Sequence, residues 1–220
     1  MSEEFCRDLC SALKGSLQNS TQLRRLNISK CEIKSQGAEV IFKSSTENIS
    51  LRVLNISQNP LGPTISSSLG YCLTNNRMVK DLNLAGCELT DGVCPGFSEI
   101  LRINNELAVL NLSDNKLTGR GTWPISLGLT HNSGLTTLDL SDNKIENKGT
   151  SLLAKALKAN TTLTTLGLRN NNISEEAAMQ LYETVRGQPN LINVQLGMNP
   201  ISNKHLSAFA KCLAANREMG

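Results

Sequence analysis

The chain has 220 residues, with 22 Lys+Arg against 19 Asp+Glu, a formal net charge of +3, and seven aromatic residues in all. Leucine and asparagine supply 34 and 24 residues, and an asparagine excess of that size asks for a structural reason. Three classes are excluded: no apolar run approaches a membrane span of about 18 residues, the opening Met1–Asp8 is acidic where a secretory leader is basic and then apolar, and a charge balance near zero is no footprint of a nucleic-acid binder.

The compositional bias is a repeat. The pattern L-x-x-L-x-L-x-x-N/C-x-L/I starts at residues 23, 51, 79, 107, 135, 163 and 191, each 28 residues after the last and without an insertion. In chain order, residues 1–22 come first and hold a helical half-repeat: counting back from Leu23, Phe5, Leu13 and Leu17 fall in the conserved columns. Seven full repeats follow, and the whole chain, 1–220, reads as one domain. Within each repeat the first half alternates as x-L-x-L, which predicts a short strand with Leu inward and the intervening residues outward. The second half places apolar residues four apart (Leu69 and Leu73 in the second repeat, Phe97 and Leu101 in the third; Ser45 follows Ile41 in the first), which predicts a helix with one buried face. Thr90, Thr118, Ser174 and Ser202 stand where a hydroxyl caps the helix start. Asn48, Asn76, Asn104, Asn132, Asn160 and Asn216 stand at its far end, where a left-handed residue is expected to close the helix. Met219 falls where an eighth repeat would place its first Leu, so the expectation is either a piece of a longer array or an array capped by its terminal helices.

Parallel strands at about 4.8 Å spacing make a concave wall about 30 Å long, with the wider helices outside. The 28-residue unit, and the stretch Leu135-TTLDLSDNKIENKGTSLLAKALKAN-TTL, resemble the ribonuclease-inhibitor-like leucine-rich repeats. The resemblance spans essentially the whole chain. It implies an α/β fold, a right-handed horseshoe solenoid with a parallel sheet on the concave face and helices on the convex face. Proteins of this type include ribonuclease inhibitor, the sensing arrays of NOD-like receptors, the Ran GTPase-activating protein and actin-regulating proteins.

Functional information lies in residues that the repeat leaves free. Strand positions facing the arc include Arg24, Arg25, Lys30, Arg52 and Lys80 against Asp81 in the first three repeats, a net +4. The later repeats offer Asp114, Asp139, Asp142 and Arg169, a net −2, together with Gln195. A basic entrance and an acidic middle suit a protein partner of complementary pattern, and the absence of concave aromatics disfavours nucleic acid. The expectation is therefore a non-enzymatic, cytoplasmic scaffold, monomeric or part of a longer array, that binds a protein partner at these residues. Other readings are a GTPase activator of the Ran-activator type, or the ligand-sensing segment of a larger NOD-like receptor.

Other chemistry is not expected. Seven cysteines are odd in number and scattered; Cys31 and Cys87 share the Asn column two repeats apart, about 10 Å and beyond disulfide reach. Cys72 and Cys212 read as small core residues, and with His131 and His205 distant from the Cys6–Cys10 pair no metal and no cofactor is expected. Asp114 and Asp142 read as solvated acids rather than a catalytic pair. Seven Asn-x-Ser/Thr strings occur (Asn19, Asn27, Asn48, Asn55, Asn111, Asn160 and Asn172); three of them, Asn27, Asn55 and Asn111, are generated by the strand motif L-N-[IL]-S, and the set reads as accidental matches. Trp123, the single tryptophan, either anchors a partner on the convex side or lies flat over an irregular turn beside Pro124.

Overall fold

The computed structural model describes residues 21–219 together with Asp8, so the expected N-terminal half-repeat lies outside the described residues. Seven strands follow in order: β1 (Arg25–Asn27), β2 (Val53–Asn55), β3 (Asp81–Asn83), β4 (Val109–Asn111), β5 (Thr137–Asp139), β6 (Thr165–Gly167) and β7 (Asn193–Gln195). A helix follows each: α1 (Ser35–Thr46), α2 (Ser66–Asn75), α3 (Cys94–Ile103), α4 (Gly119–His131), α5 (Glu146–Leu157), α6 (Glu175–Arg186) and α7 (Asn203–Met219). The strands form one parallel sheet in sequence order, with Leu26, Leu54, Leu82, Leu110, Leu138, Leu166 and Val194 in register. This is the expected α/β solenoid.

Strands of three residues are short for a physical reason. Five positions past each central Leu's strand start, the backbone swings into the left-handed region: Lys30 (φ 56°), Gln58 (54°), Gly86 (64°), Asp114 (52°), Asp142 (55°), Asn170 (51°) and Met198 (59°). That bend ends the strand and sends the chain toward the helical layer. Between the layers, the central residue of each strand and the apolar residue two positions on (Ile28, Ile56, Leu84, Leu112, Leu140, Leu168 and Leu196) pack on the apolar side of the helices, with Phe42 and Phe97 fully buried. Burying such a side chain contributes on the order of 1.5–3 kcal/mol, and here it happens only between neighbouring repeats.

Two asparagine ladders bind repeat to repeat. In the strand-turn column, Asn115 Oδ1 accepts the N–H groups of Cys87 and Leu89 at 3.0 and 2.9 Å, while its Nδ2 donates to the carbonyls of Leu84, Leu112 and Ser113 at 3.0 Å. Asn59 repeats the arrangement against Cys31 and Ile33. Where Cys87 replaces Asn, its thiol donates weakly to the Ile56 carbonyl at 3.4 Å. A thiol is a poor acceptor, and the Leu61 N–H turns instead to the Asn59 carbonyl at 2.8 Å.

The post-helix column corrects the expectation of a left-handed helix end. Asn76, Asn104 and Asn132 are extended, at φ −80°, −93° and −80° with ψ 122°, 106° and 135°. Their side chains do the work. Asn132 Oδ1 accepts from the N–H groups of Gly134 and Leu135, and its Nδ2 donates to the Leu101 and Asn104 carbonyls at 2.7 and 3.0 Å. A buried carboxamide satisfies donors and acceptors at once, whereas a left-handed turn would satisfy only the helix end. Asn160 and Asn48 are equally buried and occupied, which closes two of the Asn-x-Ser/Thr strings to modification.

Helix starts use a third linkage. Of the four predicted hydroxyl caps, Thr118 accepts from Arg120 N at 3.1 Å and Ser174 from Ala177 N at 3.4 Å. Thr90 makes no such bond, and the Ser202 hydroxyl is spent on Glu175 at 3.2 Å and on His205. The backbone N–H at this position is taken by the preceding repeat: Asp91 accepts from Thr118 N, Asn147 from Ser174 N and Glu175 from Ser202 N.

Candidate protein-binding face

The concave sheet face is less available than its polarity suggests. Asn27, Asn55, Asn83 and Asn111 each turn Oδ1 onto the N–H two residues ahead, at 2.9–3.0 Å, and Asp139 does the same to Ser141. These contacts brace the strand end, so Asp139 is tied to its own backbone. Its carboxylate also leans over Gly167, where any Cβ would collide with it. Close approach, rather than chance, puts glycine there. The recurring Asn/Asp-x-Ser/Ala string was the available signal for this brace.

The basic candidates separate into two sets. Arg24 donates to the Ser50 carbonyl at 3.3 Å and Arg52 to the Ile49 and Leu51 carbonyls at 3.4 and 3.5 Å, so both lie along the return-loop edge of the sheet. Lys80, in the same column, is ion-paired with Glu106, an acid outside the predicted set. That pairing holds the Glu106 carboxyl below its ordinary range and removes Lys80 from the basic entrance. Arg25 stands on β1 and Lys30 at the turn after it, both exposed. Asp81 is half-buried on β3; burial raises its carboxyl pKa, with Arg25 acting in the opposite direction.

Acidic candidates sit mainly at the left-handed turn. Asp114 is exposed there, its carboxylate alongside Gly86, and Asp142 accepts from Asn170 Nδ2 at 2.9 Å. Arg169 is exposed and lays its guanidinium on Met198 Sδ, with Nη2 at 2.8 Å; Gln195 is exposed on the edge strand. The structure thus places Arg24 and Arg52 along the return-loop edge of the first two repeats, Arg25 on β1, and Lys30, Asp114 and Asp142 at the left-handed turns, and it does not leave Lys80 or Asp139 as free groups.

Family models described as leucine-rich repeat match residues 19–42, 75–92, 131–154 and 159–181, and a second one matches residues 50–72. The chain is an array of leucine-rich repeats. No curated protein matches this leucine-rich repeat array. Among solved structures, the array is similar to leiomodin-1 actin-binding site 2, at 18% identity and a TM-score of 0.64, over 72% of this chain and 92% of that one. The tropomodulin C-terminal domain of Caenorhabditis elegans aligns over 96% of this chain and 94% of its own, at 14% identity and a TM-score of 0.42.

Among the described residues of the array, no group of three or more His, Cys, Asp or Glu is placed to hold a metal ion, and no helix is long and apolar enough to cross a membrane. Burial pushes the Cys72 thiol up to about 12, Cys87 to about 11 and Cys94 to about 12. Cys72 is the small core residue the repeat predicts, and Cys212 of the same column is half-exposed. Trp123 stands 59% exposed on α4, which runs as continuous helix through Pro124, so no irregular turn lies beneath it.

Proposed function

We propose that this leucine-rich repeat array is a cytoplasmic, non-enzymatic scaffold of the ribonuclease-inhibitor-like type that captures a protein partner along its concave face. The observation that carries the reading is the split of that face along the array: bases Arg24, Arg25, Lys30 and Arg52 fall on the first two repeats, and Asp114 and Asp142 line the turn rim of the fourth and fifth. Charges arranged this way orient a partner that presents acid to the first two repeats and base to the middle ones. Affinity is modest, because the concave face lacks the buried aromatic anchors that dominate tight interfaces. The partner meets residues already held rigid by the strand braces, which lowers the ordering cost of association.

Actin is the first probe, since the similar leiomodin-1 structure is by name an actin-binding site. A panel of small GTPases is the second, followed in both binding and GTP hydrolysis. The quadruple variant Arg24→Glu/Arg25→Glu/Lys30→Glu/Arg52→Glu is expected to lose capture of whichever protein the wild type binds. Unchanged capture by a folded variant would remove these concave bases from the mechanism. Stimulated GTP hydrolysis would replace the scaffold reading by a GTPase activator.

A further inference from the structure

The convex layer carries a second surface that the concave reading does not use. Its centre is α4, where Trp123 and Leu127 are four residues apart on one face and 59% and 48% exposed. Two large apolar side chains one helical turn apart and facing solvent differ from a scattered exposed residue such as Tyr71 on α2. Beside them on α5, Ser151 stands at the repeat position of Trp123 and Lys155 at that of Leu127. At helix spacings of about 8–10 Å, a small Ser leaves a shallow trough along the tryptophan.

Charge sets this pair of helices apart from α1, α3 and α6, and only α7 is similar, with exposed Lys204 and Lys211 making no ion pair among the described residues. On α1, α3 and α6 an exposed base is neutralised on its own helix, as Lys43–Glu39, Arg102–Glu99 and Arg186–Glu183. Arg120 on α4, with Lys148, Lys155 and the cap residue Lys158 on α5, are all exposed and make no ion pair among the described residues. The one acid within these two helices is Glu146, at the first turn of α5. On the α3 side the nearest column holds Glu99, already committed to Arg102. On the α6 side Glu176 stands at the repeat position of Lys148, and Glu183, committed to Arg186, at that of Lys155. The result is an apolar stripe one helix wide, beside which four bases outnumber the two uncommitted acids, Glu146 and Glu176.

We propose that the α4–α5 convex face docks an acidic amphipathic helix of a protein partner, two of its apolar side chains seated on Trp123 and Leu127 and its carboxylates on Arg120, Lys148, Lys155 and Lys158. A stripe of this width matches the seam of a helix, which presents apolar residues three and four apart with acids on either side. Apolar contact supplies the affinity, and the lysines supply rate and selection against basic segments.

Trp123 is the only tryptophan, so its emission reports this face alone. The wild-type chain is titrated with a synthetic helical peptide bearing Leu at i and i+4 flanked by Glu. Parallel titrations use the same peptide with Lys for Glu, and phosphatidylserine-containing vesicles. The acidic peptide is expected to shift Trp123 emission to the blue in a saturable way that salt weakens. Lys148→Glu/Lys155→Glu/Lys158→Glu should weaken it by about tenfold or more, and Leu127→Ser should do likewise. Arg25→Glu/Lys30→Glu should leave it unchanged, which separates this surface from the concave one. Unchanged urea midpoints for the exposed-site variants establish that they fold. Equal binding of the basic peptide, full affinity in the lysine triple variant, or a response to vesicles alone would each overturn the proposal.

Discussion

The concave face and the α4–α5 part of the convex face hold polar side chains of opposite status. On the sheet, Asn27, Asn55, Asn83, Asn111 and Asp139 brace their own strands, and Lys80 is paired. On α4 and α5, Arg120, Lys148, Lys155 and Lys158 have no such partner among the described residues. The difference teaches that a polar residue in a solenoid signals function only once the backbone groups it might be serving have been counted. The richer face by composition is the poorer one in groups available to a partner, and selection on the concave side falls to a few residues, most of them on the first two repeats.

The largest effect that would sharpen this contrast is at a committed buried amide. Asn132→Ala strands two carbonyls and two N–H groups between repeats and is expected to cost about 3–5 kcal/mol, read from the urea midpoint. A cost under about 1 kcal/mol would mean that water replaces the ladder without penalty. Next comes binding: reversing Arg24, Arg25, Lys30 and Arg52 should abolish concave capture while moving the urea midpoint little. Smaller again is Asn111→Ala, which removes one strand brace and should cost about 0.5–1.5 kcal/mol without altering Trp123 emission. Lys148→Glu, on the uncommitted face, should stay within about 0.5 kcal/mol of wild type.

Two measurements probe the same contrast through chemistry. Iodoacetamide on the native chain should modify Cys31 and Cys212 well before Cys72, Cys87 and Cys94, whose burial raises their pKa to between about 11 and about 12. Early alkylation at any of those three would show the interior opening at that repeat. Glu175 tests the inter-repeat cap by pH. The Ser202 backbone N–H holds its carboxyl below the ordinary 4.5, with His205 adding to the effect. A lowered folded value means the stabilisation is present above the unfolded value and is lost as pH falls through the folded one. Glu175→Gln should therefore flatten the acid limb of stability, by lowering stability at neutral pH while leaving that at low pH little changed.

Much of this was legible in one dimension because the repeat is quasi-one-dimensional. Strand register, helix placement and the buried leucine columns all follow from a 28-residue period in which each unit meets only its neighbours. Asn76, Asn104, Asn132 and Asn160 show where such reading stops. Their column was visible, but local propensity pointed to a left-handed helix end, and the side chains instead bond the preceding repeat. Lys80 was visible as a base, yet its partner Glu106 sits 26 residues on, in the return loop of the same repeat, where no strand pattern leads.

By itself, then, the order of residues determined the period, the alternation of strand and helix, and which side chains are interior, because those depend on spacing along the chain. Which polar groups remain for a partner was decided only in three dimensions. A hydrogen bond or an ion pair to the adjacent repeat consumes a side chain's capacity, and neighbours 26–31 residues apart compete for it across the stack.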